Sequence, residues 1–145
     1  MAPKVKLRET VQYHYIERKS RARPAFVVEG IGGEIFDTLF WVRGPEQTFL
    51  DFAADPTTAC SMMDKLVDFQ MRYWETVLET FGGYALVIRL GDDLGDQRGT
   101  RISPAMYRRY IKPRHAKLCH LSYDQARTQG GAASLWLNLL DSIIV

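Results

Sequence analysis

The hydrophobic pattern is clearest in the middle of the chain, where apolar side chains recur at steps of three and four residues. The repeating positions are Ala59, Met62, Met63, Leu66, Phe69, Tyr73, Val77 and Phe81. A single apolar stripe at this spacing is typical of an amphipathic helix packed against a core. Asp55 is a suitable cap, Pro56 a suitable first helical residue, and the two glycines after Phe81 a stop. The pattern therefore predicts one long helix beginning at Pro56.

Proline steps predict two further helices. Residues 44–46 open a short helix, with proline at its first position and a carboxylate in its first turn. Ser103 is a suitable cap for another helix that starts at Pro104. Pro113 lies inside that helix and removes a backbone donor, so we expect a kink or two abutting helices there.

Short apolar, β-branched runs predict the strands. They cover residues 25–29, 84–90 and 133–140, and the first run is followed by a glycine-rich turn. Between residues 11 and 16, apolar and polar side chains alternate, which favours a strand over a helix. The chain therefore alternates strands with helical segments.

This order of elements predicts an α/β fold. Strands separated by helices favour a parallel sheet joined by long, right-handed crossover helices. Three such strands cannot close a barrel, because a (β/α)8 barrel needs eight strands and about 250 residues. The chain is then either a small open sheet or part of something larger. Its apolar ending, residues 143–145, favours the second interpretation.

Composition is that of an ordinary globular domain. The chain has 145 residues, 46% of them hydrophobic and 25% charged, which allows one core. Its two cysteines cannot build a disulfide framework, so a reducing compartment is expected. No apolar run approaches the roughly 20 residues that cross a bilayer, and no apolar signal core is present. These observations predict a cytoplasmic protein without a membrane partner.

The charge distribution divides the chain in two. Residues 1–24 form a basic leader, in which seven Lys and Arg stand against two Glu, and residues 25–145 form the folded domain. Runs of like charge are usually solvated, and we interpret the leader in that way. A basic arm for RNA or an acidic partner is the alternative. The formal net charge of the whole chain, +2, is too small to predict a nucleic-acid partner.

The stretch that carries the most chemistry follows the second of the three apolar runs. Asp92 and Asp93 come directly after that run, between two glycines, and loops at the carboxyl ends of parallel strands are where ligand sites collect. Adjacent residues on an extended chain point to opposite sides, so we expect one carboxylate to face a pocket and the other to brace the loop. The pocket carboxylate could act as a general base, orient a cationic or pyrrolic nitrogen, or hold a metal. The alternative is that both carboxylates cap the following turn and pair with Arg98 or Arg101.

Two weaker candidates lie on the last helical stretch. His115 and Cys119 are four residues apart and could share a metal ion, although the sequence shows no third ligand. Residues 107–114 mix aromatic and basic side chains, but on a helix these spread around the circumference. They therefore form no stripe for nucleic acid.

Two segments carry a resemblance to a known family. Residues 91–99 contain the acidic pair followed by a Gln-x-Gly step, and residues 102–113 contain a Ser-Pro step, an aromatic residue and a second proline. In this order they resemble the uroporphyrinogen decarboxylase superfamily, which includes the cobalamin-dependent (corrinoid) methyltransferases. A looser similarity runs from residue 26 to about residue 121.

The resemblance implies a partial (β/α)8 TIM barrel with its substrate at the carboxyl-terminal mouth. It implies catalytic roles for Asp92 and Asp93 on the rim of that mouth, and it implies that Gln97 and Arg98 position acidic or amide substituents of the ligand. The ligand is then a tetrapyrrole in a decarboxylase or a corrinoid in a methyltransferase. In a decarboxylase, a fixed carboxylate would stabilise a protonated pyrrole intermediate.

The chain also departs from the superfamily. Full-length members are much longer, so the resemblance implies a fragment that lacks the first and last strands. In the methyltransferase branch a His-x-Cys-Gly motif helps to bind zinc, and Asn138 and Leu140 stand here in place of its histidine and cysteine. These two residues do not make a zinc site, so a corrinoid is the only cofactor that the resemblance leaves open.

Two functions from different classes follow. The first is a fragment of an enzyme for tetrapyrrole decarboxylation or corrinoid-linked methyl transfer, with weak or no turnover by these residues alone. The second is a truncated, catalytically silent chain that binds a ligand or a partner. Exposed sheet edges favour association, so self-association of such a chain is expected.

Overall fold

The strands form one four-stranded sheet and one small hairpin in a computed structural model that describes residues 12–16, 25–29, 32–128 and 134–138. They are β1 (Gln12–Ile16), β2 (Ala25–Glu29), β3 (Ala85–Gly91), β4 (Gly95–Asp96), β5 (Gly99–Thr100) and β6 (Ser134–Asn138). The larger sheet has the order β1-β2-β3-β6, and β4 pairs with β5. β1 and β2 are antiparallel, with His14 opposite Val27. The pairs β2–β3 and β3–β6 are parallel, with Ile88 opposite Val28 and Leu135.

Helices make up most of the described residues. They are α1 (Ile35–Arg43), α2 (Pro45–Ala54), α3 (Pro56–Phe81), α4 (Pro104–Met106) and α5 (Lys112–Thr128). A 3-10 turn, Gly82–Tyr84, joins α3 to β3, and a π-helical segment, Tyr107–Ile111, joins α4 to α5.

The predicted helix beginning at Pro56 is confirmed, and local interactions explain where it starts. The Asp55 carboxylate accepts the backbone N–H of Thr58 at 3.3 Å, as a capping residue does. Ser103 caps the later helical run in the same way and accepts the N–H of Met106 at 3.2 Å. The short helix at residue 45 is present as α2, and the predicted strands are present as β1, β2, β3 and β6.

The predicted partial (β/α)8 TIM barrel of parallel strands and long crossover helices is wrong. The described residues are mostly helical. The sheet also begins with the antiparallel pair β1–β2, whereas the strands of such a barrel are all parallel. The connection between β1 and β2 gives the physical reason. Residues 17–24 are fewer than the dozen or so that a parallel crossover needs, so β2 returns alongside β1 in the opposite direction.

The core lies between β3 and the helices. Ile88 and Leu90 of β3 are fully buried, whereas Val87 and Arg89, on the other face of the strand, are only half-buried. The helices supply the other large buried apolar side chains: Ile35, Phe36, Leu39, Met63, Trp74, Leu78, Ile111 and Leu118. Burial of each such side chain stabilises the fold by about 1.5–3 kcal/mol. This cluster joins β3 to α1, α3 and α5.

The last helical run changes from π to α geometry just before Pro113, where the sequence predicts a kink. Proline has no backbone N–H and leaves one hydrogen bond of the helix unmade. In a π-helical turn the hydrogen bonds span five residues instead of four, which changes the helix geometry just before this position. Arg114, the next residue, is buried and donates to the backbone carbonyls of Tyr110 and Cys60 and to the Asp64 carboxylate. Because Cys60 and Asp64 belong to α3, Arg114 ties the two longest helices together.

Some sequence predictions concern residues outside the described ranges. Of the basic leader, residues 1–24, the structure describes only β1. Asn138 is the last residue of β6, whereas Leu140 and residues 143–145 lie outside. None of the helices in the described ranges is long and apolar enough to cross a membrane.

Candidate functional site

Asp92 points into the protein and caps a distant helix. Only 3% of its surface is exposed, and its two carboxylate oxygens accept the backbone N–H groups of Phe36 and Asp37, each at 2.9 Å. These residues lie in the first turn of α1, where Glu34 provides no side-chain cap. The first N–H groups of a helix have no partner within the helix, and the positive end of the helix dipole attracts a carboxylate. Asp92 therefore supplies the cap that α1 lacks locally.

The same carboxylate contacts a buried histidine. Nε2 of His115 lies 3.0 Å from Oδ2 of Asp92 and 2.9 Å from the carbonyl oxygen of Gly33. Because both neighbours are acceptors, Nε2 carries the proton and donates it between them. The other ring nitrogen, Nδ1, is buried and has no hydrogen-bond partner within the described part of the chain. These contacts join α5 to the loops that follow β2 and β3.

Glycine allows those two loops to approach so closely. Gly33 has a φ of +82°, and a Cβ there would lie 2.8 Å from the backbone N and O of Gly91. A Cβ on Gly32 would lie 2.0 Å from Nε1 of Trp74. The Gly91 N–H donates to the Gly32 carbonyl at 3.1 Å, and the Gly33 N–H donates to Oε1 of Gln70 at 3.2 Å. A side chain at Gly33 would push the loops after β2 and β3 apart, and one at Gly32 would displace the Trp74 indole.

Asp93 faces the opposite way from Asp92 and lines a surface cleft. The cleft has a volume of about 490 Å³ and is lined by Asp37, Phe40, Trp41, Gly44, Pro45, Asp93 and Arg101. This volume falls within the range of roughly 300–1,000 Å³ that is usual for small-molecule sites. α1 supplies the aromatic side of the cleft, and the loop after β3 supplies Asp93. The structure thus places one of the adjacent carboxylates in a brace and the other in a cleft.

Arg101 crosses this cleft. Its guanidinium lies 3.1 Å from the Asp93 carboxylate and 3.7 Å from the Asp37 carboxylate, and its Cζ lies 5.3 Å from the centre of the Phe40 ring. It also donates to the backbone carbonyl of Asp93 at 3.4 Å. The Asp37 carboxylate accepts the indole N–H of Trp41 at 3.0 Å. Two carboxylates and one guanidinium leave the lining with an excess of one negative charge.

Gln97 and Arg98, the predicted ligand-positioning residues, are not part of the cleft lining. They form the turn between β4 and β5, and both are exposed. The backbone N–H of Arg98 donates to the Asp96 carboxylate at 2.7 Å. The structure therefore brings Asp93 and Arg101 together and leaves Gln97 and Arg98 on the neighbouring hairpin.

Cys119 and Tyr107, on the same helical run as His115, keep their protons near neutral pH. Burial raises the pKa of the Cys119 thiol. Burial also raises the pKa of the Tyr107 hydroxyl, with smaller contributions from Cys119 and Asp92, and the Tyr107 ring is centred 5.9 Å from the His115 ring. Among the described residues, no group of three or more His, Cys, Asp and Glu side chains could hold a metal ion. His115 and Cys119 thus find no third ligand in that part of the chain.

Sequence reasoning missed α1, and with it Asp37, Phe40 and Trp41. The start of α1 has no capping side chain nearby in the sequence, because its cap is Asp92, which lies far along the chain. Of the cleft residues outside the acidic pair, the sequence pointed only to Arg101, as a possible partner of that pair. It therefore predicted the ion pair with Asp93 but did not predict the aromatic side of the cleft.

The completed cleft is lined by three kinds of group. It presents aromatic faces from α1, carboxylate acceptors from Asp37 and Asp93, and the guanidinium of Arg101. No protein-family model, no curated protein and no solved structure matches the chain.

Proposed function

We propose that the chain binds a small ligand with flat rings and N–H groups or positive charge, in the cleft beside Asp93. The observation that carries this proposal is the convergence of two carboxylates and two aromatic side chains, Phe40 and Trp41, in one cleft at the end of β3. Sites for small molecules typically combine an apolar lining with a few fixed polar groups, and this cleft has both.

Trp41 gives the cleft an exposed flat surface. Its exposure is 81%, and its indole N–H is held by Asp37, so the ring orientation is fixed at one edge. Aromatic faces attract other flat rings and cations, and a cation at an exposed site gains about 0.5–1 kcal/mol. Exposed apolar surface next to fixed polar groups is typical of an interaction site.

The carboxylates set the polarity of the ligand. The side chains of Asp93 and Asp37 are 24% and 27% exposed, so they are open to a ligand but partly withdrawn from solvent. A carboxylate accepts hydrogen bonds and does not donate them. The excess of one negative charge in the lining therefore favours N–H donors or positive charge on the part of the ligand that enters the cleft.

We propose a tetrapyrrole as the first ligand class, because pyrrole rings are flat and carry N–H donors. A corrinoid, whose amide substituents also carry N–H donors, is the second. Both classes are those that the resemblance of residues 91–99 and 102–113 to the uroporphyrinogen decarboxylase superfamily implies. The geometry supports the contact through Asp93 and Asp37 instead of Gln97 and Arg98.

Tryptophan fluorescence tests the proposal, since Trp41 lines the cleft. We expect saturable quenching when the chain is titrated with a porphyrinogen or, separately, with a corrinoid. Asp93→Asn should weaken binding about tenfold, since it removes a charge-assisted acceptor. Asp96→Asn is the matched control, because Asp96 is exposed on β4 and does not line the cleft. Equal affinity for the Asp93 variant and the unaltered chain would contradict the proposal, as would no saturable quenching by either ligand.

Catalysis on the bound ligand is the second candidate function. It is favoured by the position of Asp93, a half-exposed carboxylate at the carboxyl end of β3, where it could stabilise a protonated pyrrole. Asp92 has both oxygens occupied by backbone donors, so we assign it a bracing role in that reaction. Carbon dioxide release from a porphyrinogen and methyl transfer from a methylcorrinoid to a thiol are the assays. We expect weak or no turnover, and loss of any turnover in Asp93→Asn.

A further inference from the structure

We infer that Arg101 is a tethered occupant of the cleft, whose guanidinium stands where the N–H-bearing group of a free ligand binds. The ligand class is then narrowed to groups that present several N–H donors together, such as guanidinium, amidinium or the pyrrole N–H groups of a tetrapyrrole. This inference rests on the proposed function, because it assigns a ligand class to the same cleft.

The contacts of Arg101 are those that a cationic ligand would make. Its guanidinium contacts carboxylates from two different elements, Asp37 of α1 and Asp93 after β3. It also lies against the face of Phe40. A planar fork of N–H groups between two carboxylates and over an aromatic ring is a complete recognition geometry for a planar cation. The cleft therefore already binds one such group.

The side chain of Arg101 can leave while its backbone stays in place. The Arg101 N–H donates to the carbonyl of Leu94 at 2.9 Å, which fixes the main chain beside the β4–β5 hairpin. The side chains of Arg101, Asp93 and Asp37 keep 23%, 24% and 27% of their surface exposed, and the contact to Asp37 is long at 3.7 Å. Ion pairs of this kind are weak, because solvent screens them. A ligand with the same donors could therefore displace the guanidinium.

Methylguanidinium chloride is a direct probe of this inference. We would measure its binding to Arg101→Ala by saturation-transfer NMR, against sodium chloride at equal ionic strength. Removal of the tethered group should make binding about tenfold tighter than to the unaltered chain. Arg108→Ala is the matched control, because Arg108 is exposed on the π-helical segment and does not line the cleft. It should bind the probe no better than the unaltered chain.

A second variant shows whether the probe takes the vacated position. Adding Asp93→Asn to Arg101→Ala should remove the gain in affinity, because the probe then loses its nearer carboxylate. Arg101→Gln gives the same test if the alanine variant does not fold. Equal probe binding by the Arg101 variants and the unaltered chain would overturn the inference. Loss of folding in both single variants would also overturn it, since Arg101 would then be structural.

The two proposals fail in different ways. If no tetrapyrrole or corrinoid binds but Arg101→Ala takes up methylguanidinium, the proposed ligands are wrong and the tethered occupant stands. If a tetrapyrrole binds the unaltered chain and Arg101→Ala takes up no methylguanidinium, the cleft binds its ligand without displacing Arg101.

Discussion

Asp92 and Asp93 are neighbours in the chain, but their surroundings give them different tasks. Asp92 is buried and accepts N–H groups from two backbone positions and from His115. Asp93 is half-exposed beside Arg101. Removal of a buried acceptor leaves its donors unpaired, whereas removal of the Asp93 charge weakens a partly exposed ion pair and a 3.4 Å hydrogen bond from the Gly95 N–H. The stability of the protein should therefore depend on Asp92, and ligand binding on Asp93.

Asparagine substitutions separate these tasks. Asp92→Asn should lower the free energy of unfolding by about 2 kcal/mol, because one amide end turns a donor toward backbone N–H groups and the cap of α1 is weakened. Asp93→Asn, the matched control, should change it by less than about 1 kcal/mol. Urea unfolding followed by circular dichroism measures both values. Similar losses for the two variants would contradict the division of roles.

The helices show why some elements can be read from the sequence and others cannot. α3 carries its cap and its first proline within its own segment, so local reasoning finds the helix, although its buried face includes Val67 and Trp74 and leaves the predicted Phe69 exposed. α1 depends on a cap that lies beyond β3, and a window along the sequence does not contain that contact. The aromatic half of the cleft, which α1 supplies, was missed for the same reason. The acidic half was predicted, because Asp93 follows a strand whose apolar pattern is strong.

The turns that hold these elements differ in how tightly they are packed. Gly33 and Gly44 both have a φ of +82°, but a Cβ on Gly33 would meet the backbone of Gly91 at 2.8 Å, whereas a Cβ on Gly44 would meet nothing within 4 Å. The two positions therefore share an unfavourable φ and differ in the steric cost of a side chain. This makes them a matched pair.

Alanine substitutions at these glycines test the close contact between the loops after β2 and β3. Gly44→Ala should destabilise the fold by about 1–2 kcal/mol, which is the cost of an unfavourable φ. Gly33→Ala should cost about 3 kcal/mol or more, because the overlap with Gly91 adds to that strain. Thermal unfolding of the two variants side by side gives the comparison. Equal losses would show that the loops can move apart without cost.

At the scale of the whole molecule, the way in which the strands pair could not be predicted from the sequence. The four strands of the larger sheet were predicted, β1 from alternating apolar and polar residues and the other three from short apolar runs. Which strands pair depends on connection lengths and on contacts between distant residues. The connection between β1 and β2 has only eight residues, which favours antiparallel pairing of these two strands. Self-association through the outer edges of the four-stranded sheet remains a prediction.

The stability of the molecule should also fall in acid. Hydrogen bonds from Arg43 and Gln47 hold the pKa of Asp51 below its ordinary value, and hydrogen bonds from Thr58 do the same for Asp55. A carboxyl group whose pKa is lower in the folded than in the unfolded state contributes stability that is fully present above the unfolded value, about 4. That contribution is lost as the pH falls through the folded-state pKa.

We therefore expect the free energy of unfolding to decline below about pH 4. The decline should be shallower in Asp51→Asn, which has one carboxyl group fewer to protonate. Urea unfolding from about pH 6 to about pH 2.5 provides the two curves, with Asp68→Asn, an exposed position on α3, as the control. Parallel curves for the Asp51 variant and the unaltered chain would assign the acid sensitivity to other groups.

The bond from Asp92 to the start of α1 also has a consequence for synthesis. It joins residues 56 positions apart, and ribosomes add roughly 5–20 residues per second. During translation α1 therefore leaves the ribosome before its cap has been made, and it waits roughly 3–11 seconds for that carboxylate to appear. Over that interval we expect the nascent helix to fray at its first turn, and to become firm only when β3 and the loop after it arrive.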